Sequence, residues 1–332
     1  MPGRVAVITG ASSGIGRACV RSFAAAGYRL GLIARSSEGL KAAAREAVEL
    51  GSEAVVVEGD VADPEIVERL AETTEQRLGQ IDVWVNNAMV TLLSPAAEMR
   101  HDEFRRVIEV NYLGTVHGTL AALARMRERD EGTIVQVGSA LAYRSIPLQS
   151  AYCASKAAIR AFTDSLRSEL MHDGSRVNLT MVQLPAVNTP QFEVMRNRMP
   201  RKPQPVPPIF APETVADAIL YAAEHPAREM VVGGSALKAM LGQKIAPGLL
   251  DWYLARTAYS SQQRPETEEP ERPDNLFAPL PGDRGADGPF TGQSRASSIQ
   301  LWLREHRAVG IGSSIAIVAA GVAWASLRRL NA

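Results

Sequence analysis

Short runs rich in β-branched residues, at Val5–Thr9, Arg29–Ala34, Ala54–Glu58, 83–85, Thr133–Val137 and 177–182, alternate along the chain with longer stretches of helical period. No other feature constrains the fold as much. Strands that alternate singly with helices pair in parallel, and their crossovers are almost always right-handed. The expected fold is therefore α/β, a doubly wound Rossmann-type parallel sheet in three αβα layers, with the ligand site at the carboxyl ends of the strands. Ile66, Val67, Leu70 and Leu78, and farther on Phe104, Val107, Ile108 and Leu120, recur at helical spacing and are read as core-facing. The pattern runs unbroken to a last helix and strand at 213–224 and 229–232, which makes one large domain of the 332 residues rather than two.

Directly after the first strand stands Thr9-Gly10-Ala11-Ser12-Ser13-Gly14-Ile15-Gly16, running into a helix that begins near Ile15. Glycines there allow a tight turn and close approach of main chain to a pyrophosphate, while the helix start offers free N–H groups. The end of the second strand bears on which dinucleotide fits. An acidic residue would bond the ribose hydroxyls of NAD, but the chain has Ala34-Arg35-Ser36-Ser37. A guanidinium flanked by hydroxyls suits a 2′-phosphate, so Arg35 points to NADP(H) over NAD, a solvated arginine at a helix start being the plainer alternative.

Ser139 follows the fifth strand, and Tyr152-Cys153-Ala154-Ser155-Lys156 opens the next long helix. Tyrosine and lysine at i and i+4 share a helix face, so the ammonium can approach the phenol. A free phenol, with a pKa of about 10, is a poor base at neutral pH. A neighbouring Lys⁺ favours phenolate, and the Ser139 hydroxyl can bond a substrate oxygen as charge develops on it.

Together these pieces resemble the short-chain dehydrogenase/reductase family over residues 4–234. Asp60-Val61 after the third strand, Asn86-Asn87-Ala88 after the fourth, and Asn111 complete the likeness. The resemblance implies an NADP-dependent oxidoreductase acting on CH–OH groups, with Asn111, Ser139, Tyr152 and Lys156 as its catalytic set and no metal. It implies further that Asp60 and Val61 border the adenine, that Asn87 and Ala88 line the cofactor's path, and that Lys156 also holds the nicotinamide ribose. Asn111 would maintain a water-linked proton path to Lys156, Thr189 would contact the nicotinamide carboxamide, and Val187 would also lie at the cofactor. The family's pairing of long helices implies a homo-oligomer. Two departures stand out. Met89 replaces the usual glycine after Asn-Asn-Ala, and Leu184-Pro185 replaces the usual Pro-Gly pair.

The pocket candidates Met89, Leu141, Phe192 and Met195, with Val90, Leu92, Tyr143, Ile146 and Met199, are apolar and suit a bulky apolar carbonyl or alcohol. They would serve equally to close a lid onto the core. That lid is read over 185–212, where proline and methionine crowd and periodicity fails. After a helical stretch at 236–261, interrupted near Pro247-Gly248, the Pro/Glu/Asp/Gly-rich stretch 262–297 reads as a flexible linker. The catalytic domain is thus placed at 1–261 and a C-terminal tail at 298–332.

Within that tail, 308–327 carries no charged residue. A run of about 20 such residues is long enough to cross a hydrocarbon core as a helix. Trp324, Arg328 and Arg329 suit one interface, and Gly312, Ala316 and Ala320 form a small-residue face. A transmembrane anchor is expected there, with an apolar helix packed on the domain or on a partner as the alternative. The 36 basic and 36 acidic residues balance, so no global field draws the chain to nucleic acid or anionic lipid. Two cysteines, Cys19 and Cys153, both inside expected helices, fit a reducing compartment. The opening residues lack the basic and apolar regions of a secretory leader. A cytoplasmic catalytic domain held at a membrane is the expectation. Two other readings remain: a nucleotide-binding scaffold or redox sensor without turnover, and an epimerase or dehydratase of the same fold.

Overall fold

A computed structural model of the chain describes residues 3–298. Seven strands, β1 (Val5–Thr9), β2 (Arg29–Ala34), β3 (Ala54–Glu58), β4 (Ile81–Asn86), β5 (Thr133–Val137), β6 (Asn178–Gln183) and β7 (Glu229–Val231), form one sheet. Its order is β7-β6-β5-β4-β1-β2-β3, and every neighbouring pair is parallel. The Rossmann-like α/β fold expected from the alternation is present. Strand order reverses between β1 and β4, and that switch point opens the cleft at the carboxyl edge.

Both faces of the sheet are covered, so β1 is buried at every residue. Its period of two divides the core. Ala6 and Ile8 face one apolar cluster with Val20, Phe23, Leu40 and Ile219, while Val5 and Val7 face another with Leu70, Trp84, Leu123 and Leu166. The first face carries α1 (Gly14–Ala25), α2 (Ser37–Glu49) and, farther along the chain, the helix at Pro212–Glu224; the second carries α3 (Pro64–Leu78). Asp63 caps α3 by accepting from Glu65 N at 2.9 Å, and Pro64 occupies its first turn, where a missing N–H costs nothing. Beyond β4 come α4 (His101–Val107), a single π-helical segment at Ile108–Leu113, α5 (Gly114–Arg129) and the long α6 (Ser150–His172). The Pro212–Glu224 helix is α7, followed by α8 (Gly234–Ile245) and α9 (Pro247–Ser261), which divide where Pro247 was expected to interrupt the helix.

Residues 185–212 hold only pairings of two or three residues, such as Ala186–Val187 beside Ile209–Phe210, and the four-residue helix Gln191–Val194. The stretch 262–297, expected as a free linker, is packed along the domain instead. Gln263–Thr267 pairs antiparallel with Arg201–Pro203, Ser294–Arg295 pairs with Ile209–Phe210, and Leu276, Ala286 and Phe290 are buried. Three apolar side chains spaced among turn residues, main-chain pairing at both ends and side-chain bonds such as Arg196 to Asp274 hold it. Among the described residues no helix is long and apolar enough to cross a membrane; 308–327 lies outside them.

Candidate active site

The turn after β1 is built from main chain approaching main chain. Gly10 has φ +69°, and a Cβ there would stand 2.8 Å from Ala88 Cα; one on Gly16 would stand 2.1 Å from the Gly10 carbonyl oxygen. Neither position admits a side chain without displacing backbone. Asn87 secures the arrangement from β4, its Nδ2 donating to the Thr9 carbonyl at 2.8 Å, while Thr9 Oγ1 accepts from Asn87 N and Ala88 N. The resulting cleft is lined by Gly10, Ser12, Ser13, Gly14, Ile15, Gly16, Arg35, Asp60, Val61, Asn87, Ala88 and Thr189, all expected at the cofactor. Val187 lies one wall away, in the adjoining cavity. The glycine-lined cradle and the helix start beside it fit a dinucleotide pyrophosphate.

Two cleft side chains are already engaged. Arg35 donates from Nη2 to the Asn275 carbonyl at 2.5 Å and from Nη1 to the Leu276 carbonyl at 3.3 Å. Asp60 pairs with Arg106 and accepts from Ala62 N at 3.0 Å. Ser36, expected as a hydroxyl beside Arg35, accepts from Gly39 N as the cap of α2.

Tyr152 and Lys156 lie on the first turns of α6, with the Lys156 ammonium 5.7 Å from the centre of the phenol ring. Its hydrogen bond goes to the Val137 carbonyl at 2.8 Å, so β5 holds the ammonium beside the phenol. Burial lowers the lysine pKa to about 8. Burial also pushes the Tyr152 phenol up to about 12, opposed by its bond with the Ser139 hydroxyl. Ser139 Oγ in addition accepts from Leu141 N at 3.1 Å.

Asn111 was expected within a continuous long helix; it lies on the π-helical segment, where one extra residue per turn shifts its side chain toward α6. Its Oδ1 accepts from Val90 N at 2.8 Å, and its Nδ2 donates to Val90 O and Ser155 Oγ, both at 3.0 Å. Asn111 thereby ties the loop after β4 to the turn that carries Tyr152 and Lys156.

Beyond the phenol opens a cavity of about 380 Å³. Of the nine pocket candidates, Met89, Leu141, Ile146, Phe192 and Met195 line it, as do Ser139, Tyr152 and Lys156, whereas Val90, Leu92, Tyr143 and Met199 do not. Ile15, Asn87, Met89 and Thr189 line both cleft and cavity, so the two depressions meet there. Met89, where the family's glycine would be, stands at that junction. The Leu184-Pro185 departure keeps its place beside Ser139, since the Leu184 carbonyl accepts from Ala140 N at 3.1 Å.

Several residues of the site carry no motif. Leu250, Tyr253, Leu254 and Ala258 of α9 close the far side of the cavity. Glu103 on α4 is wholly buried and pairs with Arg196 and Arg198 of the lid, and Arg196 bonds Asp274 at 2.7 Å. A buried carboxylate held by two lid arginines was the one signal available, and nothing in the sequence places them together. Asn275, Pro279, Leu280, Gly282 and Arg284, from the stretch expected as linker, stand in the wall of the cleft.

A family model described as short chain dehydrogenase matches residues 4–199. The uncharacterized oxidoreductase YxnA of Bacillus subtilis (strain 168) is 35% identical over 331 residues, covering 98% of this chain and 91% of that one, a match that takes in the C-terminal stretch. A fatty acyl-CoA reductase of Acinetobacter baylyi is 32% identical over 66% of this chain and 72% of its own. Among solved structures, an alcohol dehydrogenase from Thermococcus sibiricus complexed with 5-hydroxy-NADP superposes with TM-score 0.59 at 30% identity, over 69% of this chain and 95% of that one.

Proposed function

The chain belongs to the short-chain dehydrogenase family, and from that premise we propose that it is an NADP(H)-dependent oxidoreductase interconverting an apolar alcohol and its ketone or aldehyde, with Tyr152 as acid/base. The observation that carries the reading is the junction at Met89 and Thr189, where a glycine-lined cleft opens into an apolar cavity below Ser139 and Tyr152. Bound there, the nicotinamide supplies or accepts the hydride.

Ser139 Oγ holds the substrate oxygen, and Tyr152 gives it the proton during reduction. A phenol pushed up to about 12 is fully protonated at neutral pH and therefore ready to donate. In the opposite direction the Lys156 charge favours the phenolate that takes the proton back. Lys156 also holds the nicotinamide ribose, Thr189 and Val187 the carboxamide, Asp60 and Val61 the adenine side. Arg35, with its guanidinium at the carboxyl end of β2, serves the 2′-phosphate and favours NADP(H) over NAD(H).

The cavity's lining of Leu141, Ile146, Phe192, Met195, Leu250 and Leu254 supports an apolar substrate. So does the likeness to a protein called fatty acyl-CoA reductase. The test is NADPH oxidation by the full-length protein across apolar ketones and aldehydes, with Tyr152→Phe as control. Turnover that survives in the variant on an accepted substrate would remove Tyr152 from the mechanism.

Residues 308–327 are read as a membrane anchor for this enzyme, on their length and lack of charge. An apolar face on α8 and α9 beside the cavity mouth supports the same location: Ile245 is 81% exposed, Leu249 65% and Trp252 55%. Fractionation checks this. The full chain should sediment with membranes until detergent is added, and release by salt alone would count against insertion.

A further inference from the structure

The stretch expected as a linker runs the length of the nucleotide cleft. At one end Asn275 and Leu276 give their carbonyls to Arg35, and Leu276 also accepts from Arg106 Nε at 3.1 Å. In the middle the Gly285 carbonyl accepts from Gly14 N at 3.0 Å, at the start of α1. At the other end Gly288 is packed on Thr189, where a Cβ would come within 2.3 Å of the Thr189 carbonyl oxygen, and Phe290 N donates to Asn188 Oδ1 at 2.9 Å. Contacts at both ends and the centre make this segment a strap.

Two features of the strap point to a ligand. Asn275 Oδ1 is buried in the cleft wall with no hydrogen-bond partner among the described residues, an acceptor that a ligand donor would satisfy. Arg284 lines the same wall beside Ser12, Ser13 and Gly14, and it enters no ion pair among the described residues. Its neighbour Asp283 does not cancel it, because that carboxylate is paired with Arg17 at 3.3 Å. Its Nη2 donates to the Pro281 carbonyl at 3.3 Å, so a guanidinium with no carboxylate partner among the described residues stands in the cleft wall, next to the residue whose carbonyl bonds Gly14.

We propose that the strap 274–290 is the outer wall of the cofactor site and that Arg284 pairs with the pyrophosphate of the bound dinucleotide. The inference rests on the dinucleotide reading above and adds to it a binding residue outside the nucleotide-binding motifs. Because the pyrophosphate is common to both cofactors, Arg284 acts on affinity and not on the choice between them. That separates it from Arg35, whose partner is the 2′-phosphate. A strap fixed along the whole cleft also slows cofactor release, since the dinucleotide leaves only when these contacts open.

The experiment is equilibrium binding of NADPH and NADH to the full-length protein, read by reduced-nicotinamide fluorescence, for wild type, Arg284→Ala and Arg284→Lys. Arg284 is exposed, so the ligand-free variants should melt with the wild type. The alanine variant should bind both cofactors roughly tenfold more weakly, a charge-assisted contact being lost, and lysine should restore part of the affinity. NADPH should also slow tryptic cleavage of the wild-type strap. Unchanged affinities in the alanine variant would overturn the proposal. So would tighter binding, which would make the strap an inhibitory flap, or a loss confined to NADPH, which would move Arg284 to the 2′-phosphate. A wild-type chain that binds neither cofactor would instead bring down the dinucleotide reading itself.

Discussion

The nucleotide cleft and the substrate cavity meet at Met89 and Thr189 yet are made of different material. Main chain builds the first: glycines at 10 and 16 that no side chain can replace, and the turn at Ser12, Ser13 and Gly14 that opens α1. Side chains build the second, and many of them come from the lid and from α9. A wall of backbone is fixed by the sheet it belongs to, so its chemistry is set by the fold. A wall of side chains changes with each substitution and sets what a given chain accepts.

The sharpest way to test that division is to disable the chemistry at the junction and ask whether the cleft notices. Tyr152→Phe should lower turnover by on the order of 10²–10⁴-fold, with the NADPH Kd measured by fluorescence unchanged. Next in size, Arg35→Ala should weaken NADPH by about 10–100-fold, the loss of charge-assisted bonds to a phosphate, and leave NADH nearly as it was. Titration with both cofactors decides it, and an unchanged ratio would break the assignment of the cleft to NADP(H). Leu141→Ala removes apolar surface from the cavity alone. KM for a bulky apolar substrate should rise roughly tenfold with NADPH affinity intact; a matching loss in both would mean that the two regions are not separable.

The smallest effect is on pH. Burial lowers the Lys156 pKa to about 8, so the ammonium loses its proton earlier than an ordinary lysine as pH rises. Carbonyl reduction should fall several-fold above about pH 8 as that positive charge disappears from beside the phenol. Lys156→Arg, whose guanidinium stays charged, should move the fall to higher pH in a rate profile.

What could be read in the sequence follows the same division. The bounds of β1, β2 and β5 coincide with the apolar runs read for them, because a central parallel strand is buried on both faces and leaves its composition little freedom; those of β3, at the sheet edge and half-exposed, coincide through its run of valines alone. The glycine turn and the Tyr152/Lys156 spacing are likewise local, each contained in one turn and the helix after it. The strap escaped detection for physical reasons. Leu276, Ala286 and Phe290 are its only buried apolar anchors between 270 and 298 and they follow no period, and its bonds to Arg35 and Gly14 use carbonyls, which every residue has. Proline, glycine and acid content signals disorder only where nothing nearby supplies partners. Asn111 was found as a residue but not in its geometry, since a single helical period was read across Ile108–Leu113, where the π-helical turn inserts a residue and shifts the face that follows.

The pairing of Ser294–Arg295 with Ile209–Phe210 fixes where the tail departs. Had 262–297 been free, 46 residues would have separated the end of α9 from the uncharged run. With the strap in place only the residues from Ser298 to Ala308 separate packed domain from uncharged run, and ten residues reach at most about 35 Å. If 308–327 anchors the chain as proposed, a connection that short would hold the cavity mouth within a few nanometres of the bilayer, where an apolar substrate would be met at a high local concentration.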